Sequence, residues 1–229
     1  MTRKFTDIRF TDVTFLDIIN EGEQSAIFKV IVHGTTCVMK LWHDWLVYDP
    51  ERLDREPFFC ESTAYRRLKA KGFCERGVIP DFYGTINNIQ HSLLPSEWPQ
   101  DTYSVQDMFD EDNKPLNAVL IEYIPGLEMI DLSNYSMHYL DEFRQILCDM
   151  HLARVYHGYS YPRNMMICRE QNRVLWMDFE FSETFPETST LTKEQTGWFK
   201  NEMARMNCFI KALTRDHNKG RLKCAEHYY

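Results

Sequence analysis

The sequence predicts an α+β protein of two lobes: an antiparallel sheet in residues 1–124 and a reduced helical lobe in residues 125–229. Three observations carry this expectation. Residues 14–42 read as three strands joined by tight turns at Gly22 and His33-Gly34. The only helical pattern of the first half is succeeded by two more strand-like runs. Pro125-Gly126 then breaks the chain, and the remaining residues are mostly helical in pattern, with one short hairpin. Such an order describes a sheet-rich lobe hinged to a helical one, and ligands favour the cleft in arrangements of this kind.

Each element has a local reason. The first helix has Pro57 where a first helical residue belongs and Gly72 just past its end. Phe82 to Ile89 and Ala118 to Tyr123 read as strands four and five. The polar, acidic stretch between them, about 91–115, reads as a surface insert. A helix near Ser136–Tyr156 places Leu140, Phe143, Leu147 and Met150 at helical spacing. Met165-Met166-Ile167 and Val174-Leu175-Trp176-Met177 form a hairpin across Arg169–Asn172. The last helix begins near Thr192, with Gln195 three residues on as a capping box. Its stripe of Phe199, Met203, Met206, Ile210 and Leu213 is expected in the core.

Bulk properties narrow the function. A net charge of −8 argues against a nucleic-acid binder, which needs a basic footprint. The locally basic C-terminal stretch, from Lys193 through Lys200, Arg205, Lys211, Arg215, Lys219, Arg221 and Lys223, reads as a solvated helix face and tail. No segment approaches the ~20 apolar residues of a membrane span, and the N-terminus carries no signal-peptide pattern. The 7 cysteines include no Cys-x-x-Cys pair, so zinc ligation is not expected. Reduced thiols in the cytoplasm or nucleus are.

Two charged residues face the wrong way. Lys40 is the only charge in Cys37-Val38-Met39-Lys40-Leu41-Trp42. Strand alternation sets it beside Val38 and Trp42, and it either snorkels or meets an anion there. Glu61 shares a helix face with Phe58, Tyr65 and Leu68. A carboxylate on an apolar stripe is costly unless paired. Lys40 and Glu61 on adjacent elements would satisfy each other; Glu56, at or before the helix start, is the alternative partner.

Asn164 precedes the first strand of the hairpin and Asp178 comes after the second, so an amide oxygen and a carboxylate reach one rim. Singly these are a turn-capping Asn and a strand-end Asp. Together they are hard oxygen ligands that suit Mg²⁺, which takes the rest of its shell from water and phosphate. Gly22 opens Gly22-Glu23-Gln24-Ser25, a turn whose amides can reach a phosphate, although a plain hairpin explains it equally well.

His157-Gly158-Tyr159-Ser160-Tyr161-Pro162-Arg163-Asn164 and Trp176-Met177-Asp178-Phe179-Glu180 resemble the catalytic loop and metal-binding strand of kinase-like phosphotransferases, which read His-Gly-Asp-x-x-Pro-x-Asn and Asp-Phe-Glu. The Asp-Phe-Glu form is closer to aminoglycoside and choline phosphotransferases than to protein kinases, and details such as Tyr-Pro-Arg-Asn-Met-Met look like the small kinase-like proteins common in filamentous fungi. The match runs from about Phe15 to Leu213. The resemblance implies a two-lobed protein-kinase-like fold that binds ATP (or GTP) with Mg²⁺. It assigns Lys40, Glu61, Gly22, Glu122 and Tyr123 to the nucleotide, Asn164 and Asp178 to the metal, and His157 and position 159 to the catalytic loop. The stretch after Asp178 is too short for an activation segment plus substrate-binding helices and has no Ala-Pro-Glu, so a regulated protein kinase is not expected.

Tyr159 stands where that family has its catalytic Asp. A phenol titrates near 10 and is a poor base at neutrality; losing a positioned base costs about 10²–10⁴ in rate. No Asp or Glu lies within 157–167, and the facing of Glu180 is open. Phosphoryl transfer depends mainly on positioning and charge neutralisation, so three readings remain. The expected one is a nucleotide-binding pseudokinase or very weak phosphotransferase. The second is an active small-molecule or protein phosphotransferase with an atypical base. The third is a scaffold that binds no nucleotide. The acceptor or protein partner is unspecified.

Overall fold

The computed structural model describes residues 5, 8–22, 25–42, 56–95 and 115–221. The chain is α+β, and its contacts divide the described residues into two units. The first takes those up to Phe58 and those from Asp81 to Tyr123; the second takes those from Phe59 to Pro80 and from Ile124 onward. Most of the expected insert, residues 96–114, lies outside the described residues, as do Glu23, Gln24, Lys223 and Cys224.

The first unit is a five-stranded antiparallel sheet of β1 (Val13–Glu21), β2 (Ser25–Val32), β3 (Thr35–Trp42), β4 (Phe82–Ile89) and β5 (Leu116–Glu122). The strand order is β1-β2-β3-β5-β4. His33 and Gly34 join β2 to β3 with φ of 48° and 73°. Two consecutive positive φ values are what a two-residue hairpin turn needs to match strand twist. Along β2, Ala26, Phe28, Val30 and Val32 are fully buried while Ile27, Lys29 and Ile31 are half-buried. This period of two carries them onto one sheet face with Cys37, Met39 and Leu41 of β3 and Leu116, Ala118 and Leu120 of β5. Phe10 and Phe15 close over that face. Burying a side chain the size of Phe28 contributes about 1.5–3 kcal/mol.

The second unit contains α1 (Pro57–Ala70) from Phe59 onward, then α2 (Phe73–Arg76). After the break come β6 (Leu127–Met129), α3 (Met137–Leu152), β7 (Val155–Tyr156), β8 (Met165–Cys168), β9 (Arg173–Trp176), β10 (Glu183–Thr184) and α4 (Lys193–Asn218). β6, β8 and β9 form a three-stranded sheet and β7 pairs with β10, all antiparallel. Thr192 and Gln195 make the expected capping box at α4: the Thr192 hydroxyl accepts from the Gln195 N–H at 3.1 Å, and Gln195 Oε1 accepts from the Thr192 N–H at 2.9 Å. Phe199, Met206, Ile210 and Leu213 of its stripe are buried and Met203 is half-buried.

Three features depart from the sequence expectation. The residues of α1 from Phe59 belong with the helical unit, and hydrogen bonds give the reason. Arg67 Nη1 donates to the carbonyls of Ala153 and Phe185, the Trp176 N–H to Val78, and Ser182 Oγ to the Cys60 carbonyl. The helix expected to reach Tyr156 ends at Leu152, because Arg154 takes a φ of +63° and Val155 and Tyr156 pair with Thr184 and Glu183. β6 is absent from the sequence expectation, since three residues carry no pattern. No helix among the described residues is long and apolar enough to cross a membrane.

Candidate functional site

The second unit holds the loop and hairpin that the sequence singles out. His157 is fully buried, in ring contact with Trp176 and Phe179 at centroid distances of 5.0 and 4.9 Å. Its Nδ1 accepts from the Tyr159 N–H at 3.3 Å and its Nε2 lies 3.1 Å from the Met177 carbonyl. A ring that accepts at Nδ1 and donates at Nε2 is the neutral tautomer. Burial lowers its pKa below the ordinary 6.5, opposed by Glu202 and Asp178. With both nitrogens engaged, His157 ties the loop to the strand end and positions its neighbours.

Gly158 is forced by a close approach. Its φ is +80°, and a Cβ there would stand 2.8 Å from the Phe181 carbonyl carbon and nearer still to its oxygen. The next residue, Tyr159, is half-buried, its ring packed at 4.7 Å from Tyr161 and 5.0 Å from Phe181. Pro162 starts a 3-10 turn, Pro162–Asn164, that delivers Asn164 to the foot of β8. Asn164 is 3% exposed; its side-chain NH₂ donates to the Tyr159 carbonyl at 2.9 Å, so the amide oxygen is turned to the other side. Its own carbonyl accepts from the Met177 N–H at 3.0 Å. This last bond extends the β8–β9 ladder by one step and puts Asp178 immediately beyond the rung that Asn164 ends. Asp178 takes a φ of +62°, a conformation in which Asp is tolerated better than most side chains.

Glu61 lies in the same unit and is 2% exposed. Tyr65, one helical turn on, is fully buried and meets Phe179 edge to face at 5.0 Å. Its phenol is pushed well above the usual 10, first by burial and then by the carboxylates of Glu61 and Asp178. One hydroxyl thus lies within electrostatic reach of both acids.

Beneath the loop sits a carboxylate that the reading of the sequence passes over. Glu202 of α4 is fully buried. Its Oε1 accepts from the Gly158 N–H at 2.9 Å, and its Oε2 accepts from the His157 N–H at 3.3 Å and lies 2.7 Å from His151 Nε2. It stands one turn from both Phe199 and Met206, on the apolar stripe. The rule that picks out Glu61, a carboxylate on a buried helix face, picks out Glu202 equally.

The first unit carries the other candidates. Lys40 is 7% exposed, paired in register with Ile27 and Val119, and its Nζ sits 4.2 Å from the centre of the Trp42 ring, two residues on. Alternation thus sets Lys40 and Trp42 on one face, as expected. The Glu122 carboxylate accepts from the Asp81 N–H at 3.1 Å, and the Tyr123 ring is covered by Lys29 Nζ at 4.5 Å. At Gly22 an added Cβ would meet the Ser25 carbonyl at 3.5 Å, an ordinary contact, so glycine is not required there. Glu56 is exposed at the start of α1.

Among the described residues no group of three or more His, Cys, Asp or Glu forms a metal cluster. None of the six described cysteines is in a disulfide. No protein-family model matches the chain, and a search of curated proteins gives no match either.

Proposed function

We propose that this chain is a kinase-fold nucleotide-binding protein, a pseudokinase or very weak phosphotransferase in which Tyr159 stands at the catalytic position. The observation that carries the reading is the orientation of Asn164. Its amide nitrogen donates to the Tyr159 carbonyl, which leaves its oxygen as an acceptor at the hairpin end where Asp178 emerges. An amide oxygen and a carboxylate are the donor types Mg²⁺ takes from protein, with water and phosphate completing the shell. Bound there between the phosphates, the metal would supply charge neutralisation. Asn164 and Asp178 would hold it, Lys40 would meet phosphate oxygens, and Glu61 would keep Lys40 charged and oriented. Tyr159 offers no carboxylate to take the acceptor's proton, and its ring, packed against Tyr161 and Phe181, would fill part of the acceptor site. The absence of disulfides among the described cysteines suits a reducing compartment, cytoplasm or nucleus.

Thermal melting with ATP and Mg²⁺ tests the reading first. At ~100 times Kd the ligand adds about 2.7 kcal/mol, and no shift at millimolar concentration would reject nucleotide binding in favour of a scaffold. A double-mutant cycle of Lys40→Met and Glu61→Gln on the melting shift tests the pairing, which additivity would sink. Nucleotide hydrolysis tests the chemistry. The wild type is expected to turn over little, and Tyr159→Asp to gain about 10-fold, short of the 10²–10⁴ of a positioned base. A brisk wild type slowed by Tyr159→Asp would establish instead an active phosphotransferase that uses the phenol.

A further inference from the structure

We infer that Arg163 and Arg205, braced against Tyr159 and Tyr161, form a site for a phosphate-type dianion beside the loop. Arg163 leaves the 3-10 turn with its guanidinium carbon 5.1 Å from the centre of the Tyr159 ring and 5.8 Å from that of Tyr161. Arg205 arrives from α4, and its guanidinium lies 5.3 Å from the same Tyr161 ring. Two cations from separate elements therefore converge on one aromatic side chain. Stacking on a ring satisfies the face of a guanidinium and leaves its N–H edge for an oxyanion.

Neither guanidinium has a hydrogen-bond or ion-pair partner among the described residues. Other arginines of the unit do: Arg76 holds Asp149, Arg169 holds Glu128, Arg221 holds Asp216, and Arg173 donates to the Gly77 carbonyl. Glu202, one turn from Arg205 on α4, has its carboxylate committed to His151 and to the backbone of His157 and Gly158. In a chain of net charge −8, two guanidinium groups against one ring, neither with an anionic partner among the described residues, match the two charges of phosphate, which Arg recognises in bidentate fashion. Tyr159 belongs to this chemistry as well. A carboxylate at 159 would neutralise Arg163 and repel an incoming anion, whereas a phenol supports the cation with its ring. The source of the phosphate is either the free ion or a phosphate monoester, and the site stands whether or not the chain binds nucleotide.

Titration calorimetry on the full chain, without nucleotide or Mg²⁺, tests the site with inorganic phosphate, phenyl phosphate and benzoate. Both phosphates are expected to bind at least about tenfold more tightly than benzoate. Tighter binding of phenyl phosphate would identify the monoester as the source, and equal affinity the free ion. Arg163→Gln with Arg205→Gln should weaken phosphate binding about tenfold or more, as the loss of charge-assisted bonds requires. Tyr159→Asp should weaken it through Arg163. Arg163 is exposed, so Arg163→Gln alone carries the test should the double variant fail to fold. No phosphate binding by the wild type at about 10 mM, or affinity unchanged by the arginine substitutions, overturns the site. Neither result touches the melting shift with ATP.

Discussion

The loop at Gly158 and the hairpin turn at Gly22 are two glycine turns, the first in the segment that resembles a catalytic loop and the second in a turn whose amides could reach a phosphate. They differ in how far the rest of the molecule determines them. At Gly158 the chain passes the Phe181 carbonyl too closely for a side chain, one residue after a buried histidine with both nitrogens bonded, and over a carboxylate that receives the loop's own N–H groups. At Gly22 a methyl group meets only an ordinary contact. A glycine in the sequence is therefore no measure of constraint; the atoms the backbone runs against decide it.

Four substitutions or titrations would break or sharpen this contrast. The largest effect is expected for Gly158→Ala, which adds a clash to a positive φ and should cost at least about 4 kcal/mol, in the range reserved for buried structural lesions. Its counterpart Gly22→Ala should stay within about 0.5 kcal/mol. Urea midpoints of the two variants measure the difference, and equal values would erase the contrast. Next comes Glu202→Ala, which strands two backbone N–H groups and His151 in the interior. It should cost about 3–5 kcal/mol, with Glu202→Gln costing less; a loss below about 1 kcal/mol would mean the loop is held by other means.

The third effect is a pH dependence. His157 is neutral in the fold because burial depresses its pKa below 6.5. The unfolded chain therefore binds the proton first as pH falls. The stability is fully present above about 6.5 and declines below it, by up to about 1.4 kcal/mol per pH unit, until the folded pKa is passed. His157→Gln should flatten that part of the profile measured by urea unfolding, and a slope left unchanged would show that other groups set it. The smallest effect is at Ser160, 2% exposed, whose hydroxyl has no partner among the described residues. Removing an unsatisfied hydroxyl relieves a desolvation cost, so Ser160→Ala should be neutral or stabilising by up to about 1 kcal/mol, read as a small rise in melting temperature.

Legibility in the sequence depends on range. The strands over 14–42, the His33-Gly34 turn, the β8–β9 hairpin and the Thr192–Gln195 box are local patterns, and each is where its own residues require. The adjacency of Asn164 and Asp178 is legible for the same reason, since a short hairpin has little freedom in register. The attachment of α1 is not, because Arg67 is bound by carbonyls at Ala153 and Phe185, far along the chain. The position of Glu202 on the stripe is visible in the sequence, but two of its partners are backbone N–H groups, which no side-chain pattern announces, and the third, His151, lies far along the chain. The commitment of the Glu122 carboxylate to the Asp81 N–H is hidden similarly.

The anchoring of the loop by Glu202 also sets a schedule. His157 leaves the ribosome 45 residues before the carboxylate that receives its N–H. At roughly 5–20 residues per second, the loop and its hairpin wait some seconds for the helix that fixes them. A chain halted between Ser182 and Glu202 would carry every motif residue of the loop and strand and yet lack the group that gives them their arrangement, so for this protein α4 is the helix that finishes the loop.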